Sequence, residues 1–485
     1  MAISTCCLYL LLIELVGYAM LSVIRPSDRI SLVQLAGLCP ALGAGTVGVL
    51  LFWSSLFGFA PSRKLLMIIG GLALAVLLVM KSKNRLAQVE VWPAHWEKGD
   101  GWMILPLAVI VAAAALMMMG AISSPLMDWD AFAIWVFKAK VLTHEALRPP
   151  PAYFHDLTLS YSHLDYPLMV PFLTAGAYAA MGTVDDQTGK LVSAFLDILV
   201  VPIVYLGLRW KLQRLPSACL SALMTMLPVM FRYVGVGCAD LPLTAFYAGS
   251  IFYVARWIDG KQWQDLILAI LFSAFAAFTK NEGLMLALIN GAVILGFCFW
   301  GGCRRARVGA AVFFAGLLAM DAAWLIWSWS LPHTHEDYGS KLLSLQLVSH
   351  LPALKEIIPR LLFQTTKFHV WGLLWIMAGV MALLGWRALA RQYVVAMWIL
   401  LGLHLMSYAL VFCVTPWDLA ELMRITINRL LLHTVPAVIL LAGWHWAEMK
   451  TGHHQVENVA GSGCRSPGRK DHHIRETQSS QCTVQ

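Results

Sequence analysis

Apolar runs separated by short polar breaks follow one another along the chain from Cys6 to Ala447. A run of about 17 to 25 apolar residues crosses the hydrocarbon core as a helix, because a helix satisfies its own backbone hydrogen bonds where water cannot. Spans are therefore expected at roughly 5–24, 31–59, 62–80, 102–122, 190–208, 216–234, 241–258, 263–280, 284–301, 307–330, 370–387, 392–414 and 429–447. The pattern predicts an all-α polytopic membrane protein of about thirteen transmembrane helices. Two further apolar stretches fall in the segment 123–189. Phe132, Trp135, Val136, Ala139 and Leu142 form a helical stripe, expected to lie on a membrane surface. The run Tyr166 to Gly182 is short for a span, carries Pro167 and Pro171, and reads as an interfacial or re-entrant helix.

Composition agrees with this pattern: 59% of the 485 residues are hydrophobic and 13% charged, which excludes a soluble domain. The net charge of +8 does not point to nucleic acid, because the basic residues sit in the short loops between apolar runs. Lys81, Lys83 and Arg85; Arg209, Lys211 and Arg214; Arg256 and Lys261; Arg304, Arg305 and Arg307; Arg387 and Arg391; and the tail from Lys450 all fall on one side of thirteen spans. That side is expected to be cytoplasmic, with the first run a retained anchor whose N-terminus lies outside, the alternative being a cleaved signal. Arg63 and Lys64 depart from the rule, so the second and third spans carry the least support. The ten cysteines are scattered without C-x-x-C spacing and read as small hydrophobes or free thiols. The tail 450–485, rich in His, Gly, Ser and Gln, has no apolar periodicity and is expected to be disordered and cytoplasmic.

Candidate chemistry gathers opposite the basic loops, in the segments at about 123–189, 235–240, 281–283, 331–369 and 415–428. Asp128 and Asp130 follow an apolar run and head the aromatic stripe. Carboxylates this close raise at least one pKa, which suits a general base, while the alternative is a polar helix end. Lys138 and Lys140 offer charge to a lipid phosphate or simply snorkel to headgroups. His163, Asp165 and Tyr166 can bond sugar hydroxyls, although Tyr also anchors at this depth. Asp240 opens a span and either binds a ligand or caps the helix. Lys280 and Glu282 stand around a short turn as ligand groups or as a local ion pair. Arg424 and Arg429 precede the last span on the outer face, against the positive-inside tendency, and a guanidinium there can grip phosphate oxygens or snorkel. His333, His335, Glu336 and Asp337 permit a divalent ion shared with Asp130, as well as a plain solvated loop.

Asp128-Trp129-Asp130, Tyr166-Pro167, Asp240-Leu241-Pro242, Lys280-Asn281-Glu282-Gly283 and Asn428-Arg429-Leu430-Leu431 occur in an order that resembles the GT-C glycosyltransferases. The chain looks most like the bacterial glycosyltransferase 39 group, relatives of protein O-mannosyltransferases and of the lipid A aminoarabinose transferase. This resemblance implies a GT-C-like membrane catalytic core over 102–449, extra N-terminal helices over 1–101 and juxtamembrane helices in the first long outer loop. It implies transfer of a sugar from a polyprenyl-phosphate carrier to a glycan, lipid or protein acceptor outside the plasma (inner) membrane. Asp130 would be the base, with Asp128 as the alternative, and Lys280, Arg429, Arg424 and Lys138 the partners of the donor phosphate. His163, Asp165, Tyr166, Asp240 and Glu282 would bind sugar or acceptor. A secondary transporter and a non-catalytic lipid-binding protein are the competing readings. Of the acidic residues, only Glu14, Asp197 and Asp321 lie well inside apolar runs, where a transporter would concentrate them.

Overall fold

A computed structural model describes residues 2–25, 29–90, 97, 99–301, 304–332, 338–343 and 346–462. It is helical almost throughout; one short parallel pair of strands joins Arg29–Ser31 to Gln88–Glu90. Among the described residues eight helices are long and apolar enough to cross a membrane, or nine if the bent pair Leu419–Leu432 and Val435–Lys450 counts as one. Shorter apolar helices, Met169–Met181, Trp263–Ala277 and Leu374–Leu384, fill in between them.

Where the helices depart from the expected spans, proline is usually the reason. The run 216–234 splits into Arg214–Thr225 and Pro228–Tyr233, since Pro228 lacks an N–H and pushes Leu227 to an extended conformation. The last expected span is likewise two helices, Leu419–Leu432 and Val435–Ser462, bent by 45° just before Pro436. Arg429 therefore rides on a separate helix and not at the mouth of the final one. That final helix continues to Ser462, past the point at Lys450 where the apolar periodicity fades. Residues 463–485 lie outside the described residues, as do His333, His335, Glu336 and Asp337.

Small residues let the first two helices, Ala2–Ile24 and Leu32–Leu56, cross in near backbone contact. A Cβ on Gly43 would sit 1.8 Å from the carbonyl oxygen of Ile13. Met169–Met181 is buried on every side and at about 1.5 Å per residue is too short to span. Arg63 closes its C-terminal end, donating from Nε to the carbonyl of Ala180 at 3.0 Å and from Nη2 to that of Met181 at 2.7 Å. The cation that departs from the positive-inside pattern thus satisfies helix carbonyls and the negative end of a helix dipole. The aromatic stripe also turns inward. Trp135, Val136, Ala139 and Leu142 are buried against this helix, and only Phe132 is exposed.

The bundle has two polar ends. At one, Arg209 meets Glu97 (2.9 Å), Arg214 meets Asp100 (2.6 Å), Arg25 and Arg256 share Asp265 (2.9 and 3.0 Å), and Lys211 meets Asp259 (3.1 Å). Apart from Arg25, which follows the first helix, the cations are residues of the basic loops. The helix Asp240–Gly260, buried along most of its length, runs from this end to the other, where its first residue enters a second group of charges.

Candidate active site

Asp240 is the first residue of that helix, yet its side chain caps nothing. Ala239 is the N-cap and receives no side-chain bond. Instead the carboxylate, 1% exposed, takes two cations. Arg429 donates to its Oδ2 from Nε at 3.0 Å and from Nη2 at 2.8 Å, and Lys280 donates to its Oδ1 at 2.9 Å. The remaining Arg429 nitrogen, Nη1, reaches Oδ2 of Asp130. Lys280 also meets Glu282 at 2.8 Å, so the local pair expected from the sequence exists but is one edge of a larger network. Residues 130, 240, 280, 282 and 429, from four separate stretches of the chain, become one cluster.

The two acidic residues of the Asp-x-Asp motif part company here. Asp128 accepts the backbone N–H groups of Asp130 (3.1 Å) and Ala131 (3.4 Å), and the buried Cys238 thiol donates to it at 3.2 Å. It holds the start of the following helix, as an Asx cap does. Asp130 points its carboxylate to Arg429 and remains partly exposed, at 27% of its side chain. The helix after it opens with a π-helical turn, Ala131–Val136, a distortion frequently found beside functional residues. The turn that delivers Asp240 uses left-handed glycines, Gly235 (φ +69°) and Gly237 (φ +93°), and the Gly235 N–H donates to buried Asp197 at 2.8 Å.

His433, not singled out from the sequence, completes the cluster. Its Nε2 lies 3.5 Å from Asp240 Oδ1, and its Nδ1 is 2.6 Å from the Tyr408 hydroxyl, all buried. The signal was present: His433 follows Arg429 by four residues, which puts both on one helix face. Asn428 is held from the other side by Gln364.

The remaining candidates sit elsewhere. Arg424 is exposed and paired with Glu421 at 2.6 Å, outside the network. Lys140 pairs with Asp186 at 2.7 Å. Lys138 is fully buried, donating to the carbonyl of His163 beneath the Tyr166 ring; it does not face lipid. Burial pushes its ammonium down to about 7, against the upward pull of the Asp165 carboxylate. His163, in a left-handed conformation (φ +49°), stacks on Tyr166 with ring centres 4.4 Å apart. Lys138, His163, Asp165 and Tyr166 thus form a second group. Among the described residues no three His, Cys, Asp or Glu side chains are grouped to hold a metal ion.

Residues 165–329 match the family described as dolichyl-phosphate-mannose-protein mannosyltransferase. The chain is similar to that GT-C group over this stretch, which supports a membrane glycosyltransferase. No curated protein matches the chain. The matched segment contains Asp165, Tyr166, Asp240, Lys280 and Glu282; Asp130 and Arg429 lie outside it and are joined to it through Asp240.

Proposed function

We propose that this protein transfers a sugar from a polyprenyl-phosphate carrier to an extracytoplasmic acceptor, with Asp130 as the general base. The observation that carries this is the Arg429 guanidinium, shared between a buried carboxylate, Asp240, and a partly exposed one, Asp130. A phosphate-linked sugar is already activated, so the protein must supply a base for the acceptor hydroxyl and cations for the departing lipid phosphate.

The network couples these two tasks. Its carboxylates are Asp130, Asp240 and Glu282 and its cations Lys280 and Arg429, three against two, so the formal charge is −1. Net charge therefore does not attract the donor phosphate. The exchangeable contact is the one from Arg429 Nη1 to Asp130. As the acceptor oxygen bonds to the anomeric carbon, its proton passes to Asp130, the anomeric carbon–phosphate oxygen bond breaks, and polyprenyl phosphate leaves. A protonated Asp130 holds Arg429 weakly, which frees Nη1 for the phosphate at the moment its charge develops. Asp240 keeps Nε and Nη2 throughout and so fixes the fork.

The charge pattern supports one orientation in the membrane. The basic end faces the cytoplasm and the Asp130–Arg429 end faces outward, where a lipid-linked donor presents its sugar. Assay of the purified protein with polyprenyl-phosphate sugars and with nucleotide sugars tests the donor class. Turnover of the lipid-linked donor alone is expected, and turnover of a nucleotide sugar without lipid overturns the mechanism.

A further inference from the structure

Beside the charge network lies a cavity of about 170 Å³ that the chemistry above does not use. It is far larger than the roughly 10–15 Å³ one water requires, so it has room for a small molecule. One wall is a stripe on the helix Arg304–Ser328, formed by Asp321, Trp324 and Ser328 at i, i+3 and i+7. The opposite walls are Asp165, from the outer loop, and Asn281, the residue between Lys280 and Glu282. Asp321 is 4% exposed. Its Oδ2 and the Oδ1 of Asp165 are buried without a hydrogen-bond partner among the described residues. A carboxyl group in an apolar helix with an unmet oxygen is costly, and Asp321 is one of the residues that line the cavity.

The geometry points to this cavity as the seat of the donor's sugar ring, with Asp321 and Asp165 accepting hydrogen bonds from ring hydroxyls and Trp324 packing on the ring's C–H face. This inference rests on the donor class proposed above and extends it to residues with no role there. The wall supplies acceptors, and hydroxyl groups are the donors they lack. A bare cation fits less well: hard cations take about six or more oxygens, whereas one wall here is indole and only two carboxylates line the space. Asn281 is the chain neighbour of Lys280, a cation of the network, so a sugar seated here keeps its anomeric phosphate near the network.

The test is equilibrium binding by calorimetry on the full-length protein in detergent. The probes are undecaprenyl phosphate and undecaprenyl phosphate carrying mannose, glucose, galactose or a 4-amino-pentose. At least one sugar-bearing lipid is expected to bind more tightly than the bare lipid. Asp321→Leu should weaken that lipid by about tenfold and leave bare undecaprenyl phosphate unchanged, since the hydrogen bond made by the Asp321 carboxyl group is lost. Ser328→Ala, a gentler change in the same stripe, should weaken it a few-fold and guards against misfolding of the first variant. If both variants keep the full sugar increment, the assignment is overturned. It also falls if Asp321→Leu removes only a sodium dependence, which would make the cavity a cation site. A wild-type protein that transfers sugar yet binds bare and sugar-bearing lipids equally refutes the cavity but not the function; one that binds neither lipid refutes both.

Discussion

Replacing Asp130 by Asn separates the two roles assigned to its carboxylate. As base, Asp130 is required for the acceptor hydroxyl, and loss of a positioned base costs about 10² to 10⁴ in rate. As counter-ion, it occupies the Arg429 Nη1 that the donor phosphate needs. With side-chain exposures of 18% and 27%, this pair is partly screened, so its contribution is of order 1 kcal/mol rather than that of a dry pair. Removing it also takes the network from −1 to zero, two carboxylates against two cations. Asp130→Asn should therefore bind undecaprenyl phosphate about fivefold more tightly while single-turnover transfer falls at least 100-fold. Calorimetric titration and quenched-flow transfer on the same preparation measure both. A variant that transfers at the parental rate, or that binds the lipid phosphate more weakly than the parent, refutes the exchange of partners at Arg429.

Arg429→Lys keeps one charge but cannot reach Asp240 and Asp130 together, so transfer in the same quenched-flow assay should fall by about 100- to 1000-fold. Parental rates in both Arg429→Lys and Arg429→Ala would leave the phosphate to Lys280. The Lys138 amine, pushed down to about 7 from 10.5, binds fewer protons in the fold than in the unfolded chain between those values. Stability should therefore rise with pH across that window, by up to about 1.4 kcal/mol per pH unit, and be lost toward pH 7. Melting curves at pH 7.5, 8.5 and 9.5 should lose this slope, relative to the parent, in Lys138→Met. Cysteine substituted at position 305 should react with an impermeant thiol reagent only after the membrane is opened, and cysteine at 161 before; the reverse order would invert the proposed orientation.

The apolar runs determined the class of this protein, because a chain with so little polar surface has no stable alternative to helices in lipid. The sorting of charge to two ends was equally local: basic loops and acidic-aromatic segments are each contiguous in sequence, and their separation was readable before any contact was known. The motifs around Asp130, Asp240, Lys280 and Arg429 could be picked out one by one for the same reason. What only the tertiary structure decided was partnership. Asp128 and Asp130 are two residues apart and chemically identical, and the first caps a helix while the second meets a guanidinium from the other end of the chain. Asp240 looked like a cap and Lys138 like a headgroup contact, since in both cases the local rule was sound and a distant group outweighed it: Arg429 and Lys280 for the first, the His163 carbonyl and the buried outer loop for the second. Arg63 departed from the loop pattern because its counterpart, the carbonyl end of Met169–Met181, lies more than a hundred residues away. Periodicity and charge count act over a few residues and survive in the sequence; ion-pair geometry depends on how helices cross, which no short window contains.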